Sequence, residues 1–260
     1  MRIKKHNLVL TVFLSLTVPV LPVDACSLAS WDSATTGATT GKPDSGISRV
    51  AGQCALRVSG KGHVVDNSPL NETEFTGRFY FYPKMLNPGT YEIFAAQSDQ
   101  TKIASRLFVI SYDGSHIHLD ASAAGGGQVN AVAKPNHWNL VEFTWRSGKQ
   151  GRLWVNKDAS SAPPNKTFPS GTGSVDQVRL GALDGVGTGK AFFDDYVSQR
   201  SSTVGPLQVG DGNSDGVVDS RDVDVVVNEY LFDVLGSGVV DCNLDGSVNS
   251  GDVNCVVAEF

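Results

Sequence analysis

A twelve-residue pattern that occurs twice near the C-terminal end is the feature of this chain that most restricts its fold. In both copies, oxygen-bearing side chains stand at positions 1, 3, 5, 9 and 12, and glycine stands at position 6. Alternate residues of a tightly wound loop point inward, so these oxygens and the backbone carbonyl of position 7 meet at one centre. Such a donor set suits a hard cation, and the pattern predicts one Ca²⁺ ion per loop. The predicted metal ligands, at positions 1, 3, 5, 7, 9 and 12, are Asp211, Asn213, Asp215, Val217, Asp219 and Asp222 in the first loop and Asp241, Asn243, Asp245, Ser247, Asn249 and Asp252 in the second.

The two copies lie thirty positions apart, and the repeat extends beyond the loops. Valines after position 12 recur at helical spacing in both copies, which predicts two short helices with one buried face each. Because Asn249 replaces Asp219, the second loop carries one carboxylate fewer, and the first site is expected to bind Ca²⁺ more tightly. The alternative is a pair of turns rich in Asp, Asn and Gly that bind no metal.

The duplicated loop–helix pattern resembles a dockerin, the calcium module of cellulosome-type assemblies, over about residues 209–260. Aspartate at position 12 is shared with dockerins, whereas EF-hands of the calmodulin type carry glutamate there. The resemblance implies calcium-dependent folding and docking onto a cohesin-like domain of another protein. In that family, positions 10 and 11 of each loop help to select the cohesin. These partner-binding positions fall here on Ser220, Arg221, Ser250 and Gly251.

The N-terminal residues 1–25 have the pattern of a secretory signal peptide. Three basic residues precede an apolar stretch at 8–20 that is too short for a comfortable membrane span. Small residues before Cys26 suit cleavage, so the mature chain is expected to begin there and to be secreted. A lipoprotein, with Cys26 lipidated, is the alternative.

Four cysteines remain after the leader, an even number that suits disulfides in an exported protein. They form two groups along the chain, which predicts the bonds Cys26–Cys54 and Cys242–Cys255.

Acidity is concentrated in the last part of the chain, where residues 205–260 contain eleven Asp or Glu and one Arg. Divalent cations would neutralise that charge. The mature chain has no basic stripe, so we expect no nucleic-acid partner.

Residues 26–204 read as an all-β domain. Short runs of alternating apolar and polar residues are separated by Gly, Asn, Asp and Pro, and no long helical pattern competes with them. Such strands bury their apolar faces by packing two sheets together, which predicts an antiparallel β-sandwich. The clearest strands are predicted at residues 78–82, 91–95, 107–112, 117–121, 140–146, 152–156, 177–180 and 191–198.

One predicted hairpin supplies a candidate ligand-binding surface. A turn at residues 147–151 would pair Thr144 with Trp154 and turn the apolar alternate residues toward the core. Trp154 would then lie on the outer face beside Arg152 and Glu142, where its ring could stack on a sugar while its neighbours bond hydroxyls. The alternative is an outer-face tryptophan that a loop covers.

The β-domain also resembles the laminin-G-like, concanavalin-A-like jelly rolls of bacterial secreted proteins. The resemblance covers most of residues 45–200. It implies a jelly roll and makes carbohydrate or protein recognition plausible. The segments that carry it are residues 54–60, 78–83, 138–142 and 192–198.

Catalytic residues are not assignable from the sequence. Glycosidases of this fold class carry Glu-x-Asp-x-x-Glu or a variant on one strand, and no such run occurs. Asp194 and Asp195 are adjacent on a predicted strand, so their side chains point to opposite faces and do not form an acid–base pair. His116 and His118 share a strand face, but no third metal ligand is assignable, which favours a solvated surface.

These observations predict a signal peptide at residues 1–25, a β-sandwich at 26–204 and a dockerin-like tandem calcium-loop domain at 205–260. The leading interpretation is a secreted, non-catalytic protein whose jelly roll serves recognition or structure. The first alternative is an enzyme or accessory carbohydrate-binding subunit that acts on polysaccharide. The second is a structural subunit of an extracellular layer or fibre, whose tail docks onto a sister subunit.

Overall fold

A computed structural model describes residues 27–41, 49–52, 54–84, 86, 89–100, 105–184 and 189–260. The predicted signal peptide at residues 1–25 and the predicted Cys26–Cys54 bond involve positions outside these ranges. Among the described residues, neither of the two helices combines the length and the apolar character needed to cross a bilayer.

Two seven-stranded antiparallel sheets form the larger part of the molecule. The first sheet has the order β1 (Ser33–Ala34), β4 (Gly62–Asp66), β13 (Gln177–Ala182), β6 (Tyr91–Gln97), β7 (Arg106–Tyr112), β8 (His116–Asp120) and β9 (Gln128–Val132). The second has the order β12 (Lys166–Pro169), β11 (Gln150–Val155), β10 (Asn139–Arg146), β5 (Glu74–Lys84), β14 (Lys190–Gln199), β3 (Ala55–Ser59) and β2 (Ala38–Gly41). The predicted antiparallel β-sandwich is confirmed, and each of the eight predicted strands overlaps an observed one.

The sandwich core is built from alternate residues of both sheets, with aromatic rings at its centre. The Phe94 ring lies 5.0 Å from that of Phe143 and 5.9 Å from those of Phe79 and Phe108, measured between centroids. Burying one such ring stabilises the fold by roughly 1.5–3 kcal/mol. Gly77 on β5 makes room for this cluster, because a Cβ atom there would lie 2.5 Å from the Phe143 ring.

The β10–β11 hairpin differs from its predicted register by two positions. Glu142 lies opposite Trp154, and Thr144 lies opposite Arg152. The turn is tighter than predicted, because Lys149 N–H donates to the Arg146 carbonyl at 3.0 Å and Gly148 adopts a φ of 67°. A shift of two positions leaves every side chain on its predicted face.

Two helices follow the two loops. Helix α1 spans Ser220–Phe232 and α2 spans Ser250–Glu259, each beginning after position 9 of its loop. Residues Asp219 and Asn249 cap these helices. In each cap, the backbone N–H of the capping residue donates in return to the carboxylate at position 12. The predicted Cys242–Cys255 disulfide is confirmed and joins the second loop to α2. The buried core between the helices is small and consists of Val226, Val240, Cys242 and Val256.

The segment 205–260, called the tail below, packs against the outer face of the second sheet. Val239 from the tail is buried in one apolar cluster with outward-facing residues of the sheet, and Leu207 and Leu244 pack against the same cluster. The sheet residues of this cluster include Tyr80, Tyr82, Leu140 and Phe192, with Trp138 beside them. Because this face carries large apolar side chains, the tail removes them from water.

Candidate metal-binding loops

The carboxylate at position 1 shapes the first loop. Both oxygens of Asp211 accept backbone N–H groups, Oδ1 from Asp215 at 3.1 Å and Oδ2 from Gly216 at 3.0 Å. Gly216 adopts a φ of 84°, in the left-handed region that residues with a side chain rarely occupy. The sharp turn that the sequence assigned to this glycine is therefore present.

The carboxylate at position 12 also binds the backbone of the first loop. Asp222 Oδ1 accepts the N–H of Asn213 at 3.1 Å, and Oδ2 accepts the N–H of Asp219 at 2.8 Å. Asp222 is fully buried although it bears a carboxylate. The carboxylates at positions 1 and 12 are thus both held by backbone N–H groups of the same loop.

The second loop repeats this hydrogen-bond scheme. Asp241 takes the part of Asp211, and Asp252 takes the part of Asp222. The equivalent bonds run from the N–H groups of Asp245 (3.1 Å) and Gly246 (2.8 Å) to Asp241, and from those of Asn243 (3.2 Å) and Asn249 (2.9 Å) to Asp252. Two segments that share a sequence pattern thus share one loop conformation.

The donor chemistry of both loops fits a hard cation. The side chains at positions 1, 3, 5, 9 and 12 offer carboxylate or amide oxygens, which Ca²⁺ prefers, and no nitrogen-donor histidine stands in either loop. Backbone N–H groups satisfy the hydrogen bonds of the buried carboxylates but leave their negative charge in place. Burial raises the pKa of the Asp252 carboxyl, which reflects this cost of a charge away from water. A bound cation would offset it.

Arg221 makes the two loops electrostatically unequal. Its guanidinium contacts Asp219 Oδ2 at 2.7 Å and Asp215 Oδ2 at 3.2 Å, so a positive charge lies on two of the predicted ligands. Hydrogen bonds from Arg221 hold the pKa of Asp219 below its usual value. The second loop has Gly251 at this position. The expectation of tighter Ca²⁺ binding at the first site rested on the extra carboxylate of Asp219. The positive charge of Arg221 offsets the negative charge of that carboxylate.

Three of the four predicted partner-binding positions are exposed. Ser220, Arg221 and Ser250 face solvent at the starts of the helices, and Gly251 is half-buried. Exposed apolar side chains occur at the other ends of the helices. They are Tyr230, Leu231 and Phe232 on α1, which are 47%, 58% and 67% exposed, and Val257 on α2, with Phe260 after it, which are 52% and 59% exposed.

The second loop lies directly on the β-sandwich. The backbone N–H of Trp138 donates to the Leu244 carbonyl at 3.0 Å. A Cβ atom on Gly246 would lie 2.5 Å from the ring of Tyr82. Position 6 of this loop therefore needs glycine for two reasons, its φ of 91° and the close approach of the tyrosine.

A buried ion pair joins the tail to the segment before β3. Arg49 Nη2 and Nη1 contact the two carboxylate oxygens of Glu229 on α1 at 2.8 and 2.5 Å. The side chains of Arg49 and Glu229 are 2% and 7% exposed. The Gly236 carbonyl accepts from Arg49, and the Gly236 N–H donates to Glu229, so the pair is closed into a network. Residues 180 positions apart meet here, and the sequence pattern gave no sign of it.

The predicted sugar-binding residues are largely engaged within the protein. Glu142 is fully buried and accepts the N–H groups of Val204 at 2.7 Å and Gly205 at 2.9 Å, which anchors the linker to the tail. Trp154 is 2% exposed, and its indole N–H donates to the Ala162 carbonyl at 3.0 Å. Only Arg152 of the three is exposed. This geometry matches the alternative of an outer-face tryptophan covered by a loop, so stacking on a sugar would require residues 158–162 to move.

The two adjacent aspartates of β14 take separate structural partners. A bulge between Asp194 and Val197 places Asp195 at a φ of 46°. Asp194 Oδ2 accepts the N–H groups of Val50 and Ala51, and Asp195 pairs with Arg78 at 2.6 Å. Burial raises the pKa of Asp194 to about 7.

A third potential ligand beside His116 and His118 was missed by sequence reasoning. Asp113, at the turn that joins β7 to β8, lies with both histidines so that one ligand atom from each falls within 4.8 Å of the others. The turn signal Asp113-Gly114 is visible in the sequence, but the direction of the aspartate side chain is not.

Comparisons with known proteins find no match in sequence and a low degree of structural similarity. No protein-family model matches the chain, and no curated protein matches its sequence. Among solved structures, the receptor-binding domain of botulinum neurotoxin type G is similar at a TM-score of 0.43 and 12% identity, covering 64% of this chain and 43% of that one. The receptor-binding domain of the botulinum neurotoxin C/D mosaic serotype gives 0.44 and 11%, covering 64% and 44%. The serotype D binding domain gives 0.44 and 10%, covering 63% and 43%. The chain thus spans less than half the length of these domains.

Proposed function

We propose that this chain is a secreted, calcium-binding modular protein whose dockerin-like tail attaches a β-sandwich to an extracellular assembly. The observation that carries the proposal is the repeated loop conformation. In both loops the position-1 carboxylate accepts the N–H groups of positions 5 and 6, and the position-12 carboxylate accepts those of positions 3 and 9. Turns that merely share a composition have no reason to share such a scheme.

Calcium would supply positive charge at the centre of each loop, and residues of the chain would bind the ion and link the loop to its helix. The buried carboxylates at positions 1 and 12 would be ligands of the ion in each loop. Capping by Asp219 and Asn249 then ties each loop to the first turn of its helix. Loop closure and helix formation are coupled in this way, so that folding of the tail depends on the metal.

Attachment would use the surface that the helices leave open. The solvent-facing Ser220, Arg221 and Ser250 occupy the positions that select cohesins in dockerins, and exposed aromatic and aliphatic side chains stand at the opposite end of α1. Exposed apolar side chains of this kind suit a protein partner. A cohesin-like domain is the partner we propose, and a sister subunit is the alternative that an assembly or layer protein would use.

The sandwich would act as the displayed recognition or structural unit, of the laminin-G-like, concanavalin-A-like jelly-roll type. Burial of Trp154 and Glu142 removes the main support for a sugar site on the outer face of the second sheet. A role in polysaccharide degradation would need another site. A partner can be captured from the native secretome in calcium and then released with chelator. The identity of the released molecule distinguishes a scaffold protein from a polysaccharide or a second copy of the chain.

Calorimetric titration of the full chain is expected to find two calcium ions. Asp211→Ala should leave one, because it removes the carboxylate to which positions 5 and 6 of the first loop are bonded. The matched control is Asp224→Ala, which removes the same charge from an exposed position of α1 and should keep two ions. A stoichiometry near zero, or two ions in the Asp211 variant, would contradict the proposal.

A further inference from the structure

A second kind of metal site is suggested by the hairpin of β7 and β8, far in sequence from the calcium loops. Asp113 follows β7 directly, and His116 and His118 stand on one face of β8 because they are two positions apart. His118 Nε2 lies 2.7 Å from Asp113 Oδ2, and His116 Nδ1 lies 3.7 Å from the same oxygen. Three groups that ligate metals thus converge within six residues of chain.

The turn holds the aspartate in the orientation that brings its second oxygen to the histidines. Asp113 Oδ1 accepts the backbone N–H groups of Ser115 at 2.9 Å and His116 at 2.7 Å. With Oδ1 committed to the backbone, Oδ2 is turned toward the two imidazoles. The Ser115 hydroxyl, 2.8 Å from His116 Nδ1, adds a further oxygen at the same place.

The three side chains are sheltered but reachable. Their exposed fractions are 29% for Asp113, 38% for His116 and 34% for His118. Solvent can therefore deliver an ion and supply water as a remaining ligand. On the neighbouring strands, Ser111 and Asn130 lie opposite His118, whereas the exposed Val132 lies opposite His116, so the polar neighbours are those of His118.

We propose that Asp113, His116 and His118 bind a borderline transition-metal ion, with Zn²⁺ as the representative probe. Two imidazoles and one carboxylate form a donor set of zinc type, whereas Ca²⁺ prefers oxygen ligands alone. The site is independent of the tail. Its failure would leave the calcium proposal untouched, and failure of the calcium proposal would leave this one untouched.

An Asp–His hydrogen bond that merely fastens the hairpin is the competing explanation. It rests on the bond of His118 to Asp113 and on the contact of the Ser115 hydroxyl with His116 Nδ1, and it needs no metal. The two explanations separate on His116→Ala. A hairpin bond would survive this change, whereas a three-ligand site would lose a donor.

The test is a zinc titration of the full chain by calorimetry, in calcium concentrations that saturate the loops. One Zn²⁺ per chain is expected. Each of Asp113→Asn, His116→Ala and His118→Ala should weaken binding roughly tenfold or more, since loss of even a supporting group costs about 10- to 100-fold at such sites. His137→Ala is the matched control, because His137 is half-buried like His116 and His118 but lies in a different turn, where its Nδ1 is 3.0 Å from the Pro135 carbonyl oxygen.

Circular dichroism and the melting temperature without zinc establish that each variant is folded. Zinc should raise the melting temperature of the native chain and of the His137 variant, and the rise should be smaller for each of the three ligand variants at the same zinc concentration. Absence of zinc binding by the native chain overturns the proposal. Equal binding by the native chain and the His116 variant overturns it as well.

Discussion

Chelation of calcium is expected to unfold the tail and to release its partner, while the strands of the sandwich persist. The tail carries eleven acidic residues and only one basic residue. Without metal, the acidic residues repel one another. Its core of four buried side chains is small. Ordering each residue costs roughly 1.5 kcal/mol, and a core of this size offsets little of that cost. At a thousandfold excess over its dissociation constant, each bound ion would contribute about 4 kcal/mol.

Packing of the tail on the sheet adds a second expected effect of chelation. The second loop covers Tyr82, and its Leu244 carbonyl accepts the backbone N–H of Trp138, so unfolding of the loop would expose both rings to water. Tryptophan emission should therefore shift to longer wavelength, and the sandwich should melt at a lower temperature, although it keeps a core of its own.

Far-ultraviolet circular dichroism, tryptophan emission and partner capture, each with calcium and with chelator, measure these effects. The double variant Asp211→Ala, Asp241→Ala should show the chelated state at all calcium concentrations. The double variant Asp224→Ala, Glu259→Ala removes two charges from exposed helix positions outside the loops and should respond as the native chain does. Equal helicity in calcium and chelator, or capture unaffected by chelator, would sink the mechanism.

Replacing Arg49 by methionine is expected to destabilise the calcium-loaded chain by about 3–5 kcal/mol, the usual cost of leaving one partner of a buried pair without the other. The variant would leave the Glu229 carboxylate, which is 7% exposed, with the N–H of Gly236 but without its charged partner. The Gly236 carbonyl and the Gly52 carbonyl would lose their donor as well. The loss should fall mainly on the contact between tail and sheet.

Denaturant unfolding followed by tryptophan emission measures this loss. Arg106→Met is the matched control, since Arg106 pairs with Glu92 at 2.5 Å but both side chains are partly exposed, at 31% and 25%. Such a pair contributes about 0–1 kcal/mol. The double variant Arg49→Met, Glu229→Met should recover much of the stability, because no charge then stays buried. A single variant as stable as the Arg106 control would refute the role of the ion pair.

Local sequence patterns predicted what depends on neighbouring residues. Strand positions followed from alternation, and the loops and helix starts followed from residue spacing. The hairpin register was wrong by two positions, because the turn at Gly148 is set by backbone conformation that alternation does not encode. The side chains of the hairpin were nevertheless predicted on the correct faces of the sheet, because side chains alternate along a strand with a period of two.

Contacts between distant segments could not be predicted in this way. Glu142 was correctly placed on the outer face, yet its partners Val204 and Gly205 lie some sixty positions later. The pairing of Arg49 with Glu229 is equally remote. Asp113 was missed for a different reason, since its part in the histidine cluster depends on a side-chain direction that its own turn sets.

Anchoring of the linker has a mechanical consequence for a protein held by its tail. Val204 and Gly205 are bonded to Glu142 on β10, and Leu207 is bonded to the hydroxyl of Tyr80 on β5. Tension applied at the tail would therefore enter the second sheet at two adjacent inner strands, not at the free end of β14. Load shared between neighbouring strands must break several hydrogen bonds together before any strand peels away. In a chain attached by its tail, as we propose, strain on the attachment would be borne by the middle of the second sheet.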